Sequence, residues 1–145
     1  MLTKAIDWAS QSEDISDDEK EILIQSKKSL LFSNGTHWSK KGNSSFDNAQ
    51  GSYDGAECCD LIGLYILSQL HGLIPGVALG LYRDDGLAAI EASPSQVDDI
   101  QKIICRIFKE NGLQVTIDAN KKIVQFLDVE LNLNDKICKP YLKEN

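Results

Sequence analysis

Apolar residues recur along the chain with more than one period, and helical spacing dominates its first part. Residues 2–10 carry apolar groups at Leu2, Ala5, Ile6 and Ala9, which predicts a first helix. Ser16 or Asp17 is placed to cap a second helix, whose acidic start and lysine-rich end, at Lys27 and Lys28, match the helix dipole. We expect the following apolar residues to face the core: Ile22, Leu23, Ile24, Leu30 and Leu31.

The next part of the sequence predicts a long loop and then a buried helix. Residues 33–55 are rich in Gly, Ser and Asn, which predicts a loop with a short hairpin around Asn34-Gly35. A loop of this length in a compact domain is usually functional or disordered. Residues 56–71 are the most apolar stretch and predict a helix buried on nearly all sides. Its apolar positions are Leu61, Ile62, Leu64, Tyr65, Leu67 and Leu70.

A hairpin with a carboxylate-rich turn comes next. Residues 77–82 and 87–90 are short apolar stretches that predict two strands. The residues between them, 83–86, include an Asp-Gly step, which is a strong signal for a tight hairpin turn. The sequence therefore predicts two core strands joined by a turn that carries Asp84 and Asp85.

The last part of the chain predicts one helix followed by strands. Ser93 or Ser95 caps the helix, Pro94 lies in its first turn, and Asn111-Gly112 ends it. Its buried stripe consists of Val97, Ile100, Ile103, Ile104, Ile107 and Phe108. Three strands are expected after it, at residues 113–117, 123–131 and 136–141. This order of elements predicts a single α+β domain in which helices pack on one face of an antiparallel sheet.

Composition narrows the class of protein. Of the 145 residues, 42% are hydrophobic and 26% are charged, which is the balance of a globular domain. The sequence contains no apolar run of about 18 residues and no signal-peptide core at its start. We therefore expect an intracellular protein, in the cytoplasm or nucleus, with no membrane partner. The four cysteines lack metal-ligand spacing and are expected to be buried thiols.

Charge is distributed unevenly along the chain. Residues 1–101 contain 7 basic and 16 acidic side chains, whereas residues 102–145 contain 8 basic and 6 acidic ones. The net charge of −7 argues against a free-standing nucleic-acid-binding module. An acidic, solvated surface explains the charge of the first segment most simply.

The adjacent carboxylates Asp84 and Asp85 are the sharpest candidates for chemistry. Two neighbouring carboxylates repel each other unless a cation compensates their charge. Hard oxygen ligands suit Mg²⁺, and two such ions about 4 Å apart can activate a hydroxyl and hold a leaving phosphate. Because apolar strands flank the turn on both sides, the pattern favours a metal site over an ordinary exposed turn.

The residues around this turn resemble those of reverse transcriptases. Tyr82-Arg83-Asp84-Asp85 resembles the Y-x-D-D box of that family. Upstream, residues 46–52 resemble the family's Q-G element, so Gln50 and Gly51 are implied to contact the incoming nucleotide and the template. A glycine there allows close approach of backbone to a ligand. The family usually has Ser-Pro soon afterwards, where this chain has Gly55-Ala56.

Two downstream elements follow in the family's order. Gly112-Leu113 and the next lysine pair resemble the G-L…K element, whose lysine lies near the departing pyrophosphate, and either Lys121 or Lys122 fits that role. The strand that begins at Phe126 and Leu127 resembles the F-L-G or F-L-D strand of the primer grip. Residues 139–143 resemble the Y-R-K-P segment that follows it in Penelope-like and other non-LTR retroelements.

The resemblance implies a partial palm domain of an RNA-directed DNA polymerase, with a palm-like antiparallel sheet and helices on one face. Its implied sections are helices at 1–32, a loop and buried helix at 33–72, the Y-x-D-D hairpin at 76–91, and a helix and strands at 94–145. It implies Mg²⁺ or Mn²⁺ bound by Asp84 and Asp85, with Tyr82 and Arg83 near the nucleotide. The implied partners are a template-primer nucleic acid and a deoxynucleoside triphosphate.

The family has a further catalytic aspartate on a strand that no sequence before residue 33 resembles. We therefore expect a chain truncated on both sides, with little or no nucleotidyl transfer on its own. The alternative is a non-enzymatic retroelement remnant or interaction fragment. In that case the surface left by a lost strand would favour self-association.

Overall fold

The computed structural model describes residues 1–27, 30–39 and 53–141, with backbone alone at 30–32 and 37–39. The chain divides into two compact units, an N-terminal unit of Met1–Tyr65 and a C-terminal unit of Ile66–Asn145. The elements are α1 (Leu2–Ala9), α2 (Asp17–Ser26), β1 (Leu30–Ser33), β2 (Thr36–Ser39), α3 (Gly55–Leu73), β3 (Ala78–Tyr82), β4 (Asp85–Ala89), α4 (Pro94–Glu110), β5 (Ile123–Phe126), β6 (Val129–Asn132) and β7 (Ile137–Pro140).

The predicted helix α1 is confirmed, and it supplies the core of the N-terminal unit. Leu2, Ala5 and Ile6 lie on one face and are buried. Close by, the ring of Trp8 makes a tilted contact with the ring of Tyr65 on α3, with 6.1 Å between the centroids. The apolar stripe of α1 therefore packs as its helical spacing predicts.

Helix α2 begins as predicted but does not bury the predicted residues. The Glu19 backbone N–H donates to Ser16 Oγ over 3.3 Å, and the Glu19 carboxylate accepts from the Ser16 backbone N–H over 2.8 Å, which is a capping box. The prediction that Ile22 and Leu23 face the core is wrong, because these side chains are 66% and 42% exposed. Three consecutive apolar residues, 22–24, span about 200° of a helix of 3.6 residues per turn, so they cannot all face one core.

The short hairpin predicted around Asn34-Gly35 is confirmed. β1 and β2 pair antiparallel with Ser33 opposite Thr36, which leaves Asn34 and Gly35 as a two-residue turn. Both have positive φ, 49° and 72°, as a type I′ turn requires. The rest of the predicted long loop, residues 40–52, lies outside the described residues.

Helix α3 is longer than predicted and more one-sided. Ile66 and Leu70 are almost completely buried, whereas Leu64 is exposed, so the expectation of burial on nearly all sides is wrong. Residues two positions apart point to different sides of a helix, and only one stripe of α3 reaches a core. The cysteines are also less buried than predicted. None of the four forms a disulfide, and Cys59, Cys105 and Cys138 are exposed.

Helix α4 is confirmed at both ends and along its stripe. Ser93 caps it with Gln96 in a second capping box, and Pro94 occupies the first turn. Ile104 and Ile107 are buried. Asn111 caps the other end, where its side-chain amide donates to the Ile107 carbonyl over 2.9 Å. Local signals in the sequence therefore locate this helix to within a residue.

The α+β class is confirmed, but the described strands form three separate antiparallel sheets, β1-β2, β3-β4 and β5-β6-β7. The strand predicted at residues 113–117 is not one. This segment alternates between half-buried and exposed positions, yet no described strand pairs with it. The strand predicted at 123–131 is two strands, because the chain reverses at Leu127, which has a φ of 55°. None of the described helices is both long enough and apolar enough to cross a membrane.

Candidate metal-binding hairpin

The β3–β4 hairpin holds the two candidate metal ligands at its tip. Leu79 and Leu81 on β3 are half-buried, and the residues between and beside them on that strand are exposed. This alternation is the period of a strand with one covered face. Leu87 on β4 is also half-buried, but it pairs with Gly80 and therefore lies on the opposite face of the hairpin. Leu81 lies opposite Gly86, and Tyr82 lies opposite Asp85, so regular pairing continues up to the turn.

The turn lies two residues earlier than the Asp-Gly step predicts. Arg83 and Asp84 form the two-residue turn, whereas Asp85 is already the first residue of β4. Gly86 instead lies in β4, where it packs against Leu81 on the facing strand. A Cβ at this position would lie 3.0 Å from Leu81 Cδ2 and 3.6 Å from the Gly80 carbonyl oxygen. The predicted turn over 83–86 is therefore corrected to Arg83–Asp84, because the cross-strand neighbour of Leu81 has to be small.

Asp84 and Asp85 are consecutive, exposed carboxylates, one in the turn and one at the start of β4. Within the described ranges neither forms an ion pair. The nearest cation in sequence, Arg83, lies over the Tyr82 ring instead, with its Cζ 5.6 Å from the ring centroid. This is a cation–π distance. Among the described residues the tip therefore presents two carboxylates without an ion-pair partner, next to the Arg83 guanidinium and a half-exposed aromatic ring.

The donor set of the tip fits a hard divalent cation. Mg²⁺ is commonly held by one or two carboxylates while it keeps several waters. No group of three His, Cys, Asp or Glu side chains comes together anywhere in the part of the chain that the structure describes. Asp84 and Asp85 therefore fit one weakly held ion, and no third acidic ligand from the described residues joins them.

The two candidate lysines differ in their surroundings. Lys121 Nζ lies 3.3 Å from the Asp118 carboxylate, whereas Lys122 has no ion-pair partner among the described residues. Both are exposed and lie just before β5. Strands β4 and β5 are neighbours, although they share no sheet. The structure thus brings the strand after the lysines beside the strand that begins with Asp85, and within the described ranges the ammonium of Lys122 has no ion-pair partner.

The two primer-grip candidates lie at the β5–β6 turn. Phe126 is half-buried at the end of β5, and Leu127 is exposed in the turn. The Tyr141 backbone N–H donates to the Asp128 carbonyl over 2.8 Å, which fixes the segment after β7 against this turn. The other nucleotide and template candidates, Gln50 and Gly51, lie outside the described residues.

Sequence reasoning missed one charged cluster. Lys27, which the sequence places as a cation at the end of α2, is only 6% exposed and forms an ion pair with Asp54. Burial lowers the pKa of Lys27, but hydrogen bonds to Asp54 and Cys58 outweigh it and raise the pKa. The hydrogen bond from Lys27 lowers the pKa of Asp54. No local signal identifies this cluster, because its partners are far apart in sequence.

The described geometry thus joins Tyr82, Arg83, Asp84 and Asp85 at one hairpin tip and sets Lys121 and Lys122 on a neighbouring segment. Comparison with models of protein families, with curated proteins and with solved structures finds no match to this chain. Any functional conclusion therefore depends on the residues of the hairpin and their surroundings.

Proposed function

We propose that this chain is part of a reverse-transcriptase-like palm and that its β3–β4 hairpin binds Mg²⁺ or Mn²⁺ through Asp84 and Asp85. The observation that carries the proposal is a pair of consecutive carboxylates, unpaired within the described residues, at the tip of a hairpin of apolar strands. The half-exposed Tyr82 beside them offers a flat surface for a sugar or base.

Electrostatics support a cation at this tip. Two like charges on neighbouring residues disfavour each other, and a divalent ion relieves that repulsion. Arg83 does not take this role, since its guanidinium lies over the Tyr82 ring. The hairpin therefore offers two carboxylates, unpaired among the described residues, which supply the oxygen ligands that Mg²⁺ prefers.

The remaining parts of the proposal concern the substrates. A nucleotide triphosphate held by the metal would place its phosphates near a cation such as Lys122, whose ammonium is unpaired among the described residues. Phosphates commonly bind lysine as a point charge. Phe126 and Leu127 would contact the primer strand, and Gln50 and Gly51 the nucleotide and template. The proposed partners are a template-primer nucleic acid and a deoxynucleoside triphosphate.

The chain on its own is not proposed to complete the reaction. Transfer of a nucleotide to a primer 3′-hydroxyl uses two metal ions about 4 Å apart, one at the attacking oxygen and one at the leaving oxygen. Two carboxylates alone do not hold two ions at that separation. Activity would need a further acidic ligand from outside the described residues, so we expect the isolated chain to bind metal weakly and to extend no primer.

A non-enzymatic role is the second candidate. It is favoured by large apolar side chains that lie exposed on both units, such as Ile22 and Ile137. Surfaces of this kind are typical of association with other chains. A retroelement remnant that serves as an interaction fragment would keep such surfaces whether or not the hairpin binds metal.

Titration calorimetry with Mn²⁺ and Mg²⁺ tests the proposal. The natural chain is compared with an Asp84→Asn/Asp85→Asn variant and with a matched control, Asp98→Asn/Asp99→Asn, which removes another consecutive pair of exposed aspartates from α4. We expect saturable binding that the hairpin variant loses and the control retains. Equal heats for all three chains would reject the metal site and leave the non-enzymatic role.

A further inference from the structure

Helix α2 presents an apolar surface that no described residue covers. It buries no side chain, and Ile22 and Leu23 are 66% and 42% exposed. Residues four apart share a face of a helix, so Asp18 lies beside Ile22 and Glu19 beside Leu23. We call these four residues the acidic helix surface. It combines two large aliphatic groups with two carboxylates.

A second exposed apolar surface lies at one end of the β5–β6–β7 sheet. Ile123, Asn132 and Ile137 are direct partners across the three strands, which sets the two isoleucines on the same face. Leu133 follows directly, and its backbone N–H donates to the Lys122 carbonyl over 2.7 Å. Ile123, Leu133 and Ile137 are 50%, 57% and 53% exposed. We call this the basic sheet end because lysines surround it.

Two lysines and one aspartate lie beside the isoleucines of the basic sheet end. Lys122 and Lys136 directly precede Ile123 and Ile137 and have no ion-pair partner among the described residues. Asp135 offsets part of their positive charge, and its carboxylate accepts a hydrogen bond of 2.9 Å from the Asn132 side-chain amide. The turn is further fixed by hydrogen bonds from the Asn134 and Asp135 backbone N–H groups to Asn132 Oδ1. Lys136 therefore extends from a preorganised turn.

We propose that the acidic helix surface of one copy of this chain docks on the basic sheet end of a second copy. Each surface carries exposed aliphatic side chains, and their flanking charges have opposite signs. Complementary charges of this kind direct orientation and exclude wrong pairings. The proposal does not depend on metal binding by Asp84 and Asp85. It shares only Lys122 with the proposed function, in which this lysine lies near the phosphates of the nucleotide.

The contact joins two different surfaces, so it is heterologous. Docking of α2 on α2 would place carboxylates opposite carboxylates, and docking of two sheet ends would oppose lysines with lysines. A heterologous contact leaves one free surface of each kind at the ends of a pair, unless the pair closes. The patches are small, and we expect association to be weak and to rise with protein concentration.

Crossed mixing of two variants tests this arrangement. A helix variant, Ile22→Gln/Leu23→Gln, removes the first surface, and a sheet variant, Ile123→Thr/Ile137→Thr, removes the second while keeping β-branched residues in the strands. In sedimentation velocity, the natural chain should self-associate and each variant alone should self-associate at least about tenfold more weakly. An equimolar mixture should regain one intact contact and form a pair.

Controls separate docking from misfolding. Leu64→Gln removes an exposed aliphatic side chain from α3 and should associate as the natural chain does. Far-ultraviolet circular dichroism and thermal unfolding show whether each variant keeps its fold. Raising the salt concentration from about 0.05 M to about 0.5 M should weaken association of the natural chain, since its charges become screened.

Three results would overturn the proposal. The first is a natural chain that stays monomeric at every concentration up to the millimolar range. The second is a folded helix or sheet variant that associates as strongly as the natural chain, or a mixture that does not pair. The third is a monomeric chain that sediments with phosphatidylserine vesicles and loses this in the sheet variant, which would assign the basic sheet end to an anionic membrane surface.

Discussion

The hairpins β1–β2 and β3–β4 both reverse through two residues, yet the chemistry of their turns differs. The first uses Asn34-Gly35, the pair that a turn with two positive φ values favours. The second uses Arg83-Asp84, although an Asp-Gly step, Asp85-Gly86, follows directly after it. Only the first of its two turn residues, Arg83, has a positive φ, 54°, and hairpin turns favour glycine at such a position.

The residues of the first turn favour the backbone conformation that they adopt, whereas Arg83 in the second turn does not. Asn34-Gly35 needs no other explanation than its own conformational freedom. Arg83 occupies a left-handed conformation that costs an ordinary residue about 1–2 kcal/mol, and residues held in this way cluster at functional sites. The second turn is also the one that carries the two carboxylates. The contrast therefore agrees with the proposed metal site and can be tested directly.

Metal should produce the largest difference between the hairpins. At a free Mn²⁺ concentration of about 100 times the dissociation constant, binding to the folded chain stabilises it by about 2.7 kcal/mol. Hydrogen exchange should slow at the amides of β3 and β4 and not at those of β1 and β2. Two results would show that Mn²⁺ binds away from the tip. One is an equal slowing of exchange in both hairpins, and the other is slowing that remains in Asp84→Asn/Asp85→Asn.

Gly86→Val tests why the Asp-Gly step lies outside the second turn. The position adjoins Leu81, whose Cδ2 would lie 3.0 Å from an added Cβ. We expect overpacking of this kind to cost about 1–3 kcal/mol in the free energy of unfolding, measured by chemical denaturation. Gly80→Val on the facing strand is the matched control, because a Cβ there meets nothing within 4 Å. Similar losses at the two positions would reject the packing explanation and indicate a general cost of replacing glycine in this hairpin.

These elements show how far sequence reasoning reaches. Helices α1 and α4 were predictable because spacing and caps, such as Ser93 with Gln96, are local. The Y-x-D-D hairpin was predictable for the same reason, to within two residues at its turn. The failures are non-local. Alternation at residues 113–117 does not supply a pairing strand, and the partnership of Lys27 with Asp54 depends on the packing of distant segments.

Gly35→Ala measures the cost of breaking the locally favoured turn. Gly35 has a φ of 72°, and an added Cβ would meet nothing within 4 Å, so the only penalty is conformational. We expect a loss of about 1 kcal/mol. Chemical denaturation reports it, and exchange at the β1 and β2 amides should quicken while the β3 and β4 amides change less. A neutral substitution would show that the first hairpin contributes little to the free energy of unfolding.

Arg83→Asn should have the smallest effect and the opposite sign. Asparagine tolerates the left-handed conformation better than arginine does, so relief at this residue should stabilise the chain. Loss of the contact between the Arg83 guanidinium and the Tyr82 ring offsets part of the gain, by about 0.5 kcal/mol at an exposed site. We expect a net stabilisation of a few tenths of a kcal/mol. Arg83→Lys keeps the charge without this relief and should be neutral or slightly destabilising. If Arg83→Asn were no more stable to unfolding than Arg83→Lys, the positive φ of Arg83 would carry no measurable strain. The two turns would then differ only in the carboxylates that the second one carries.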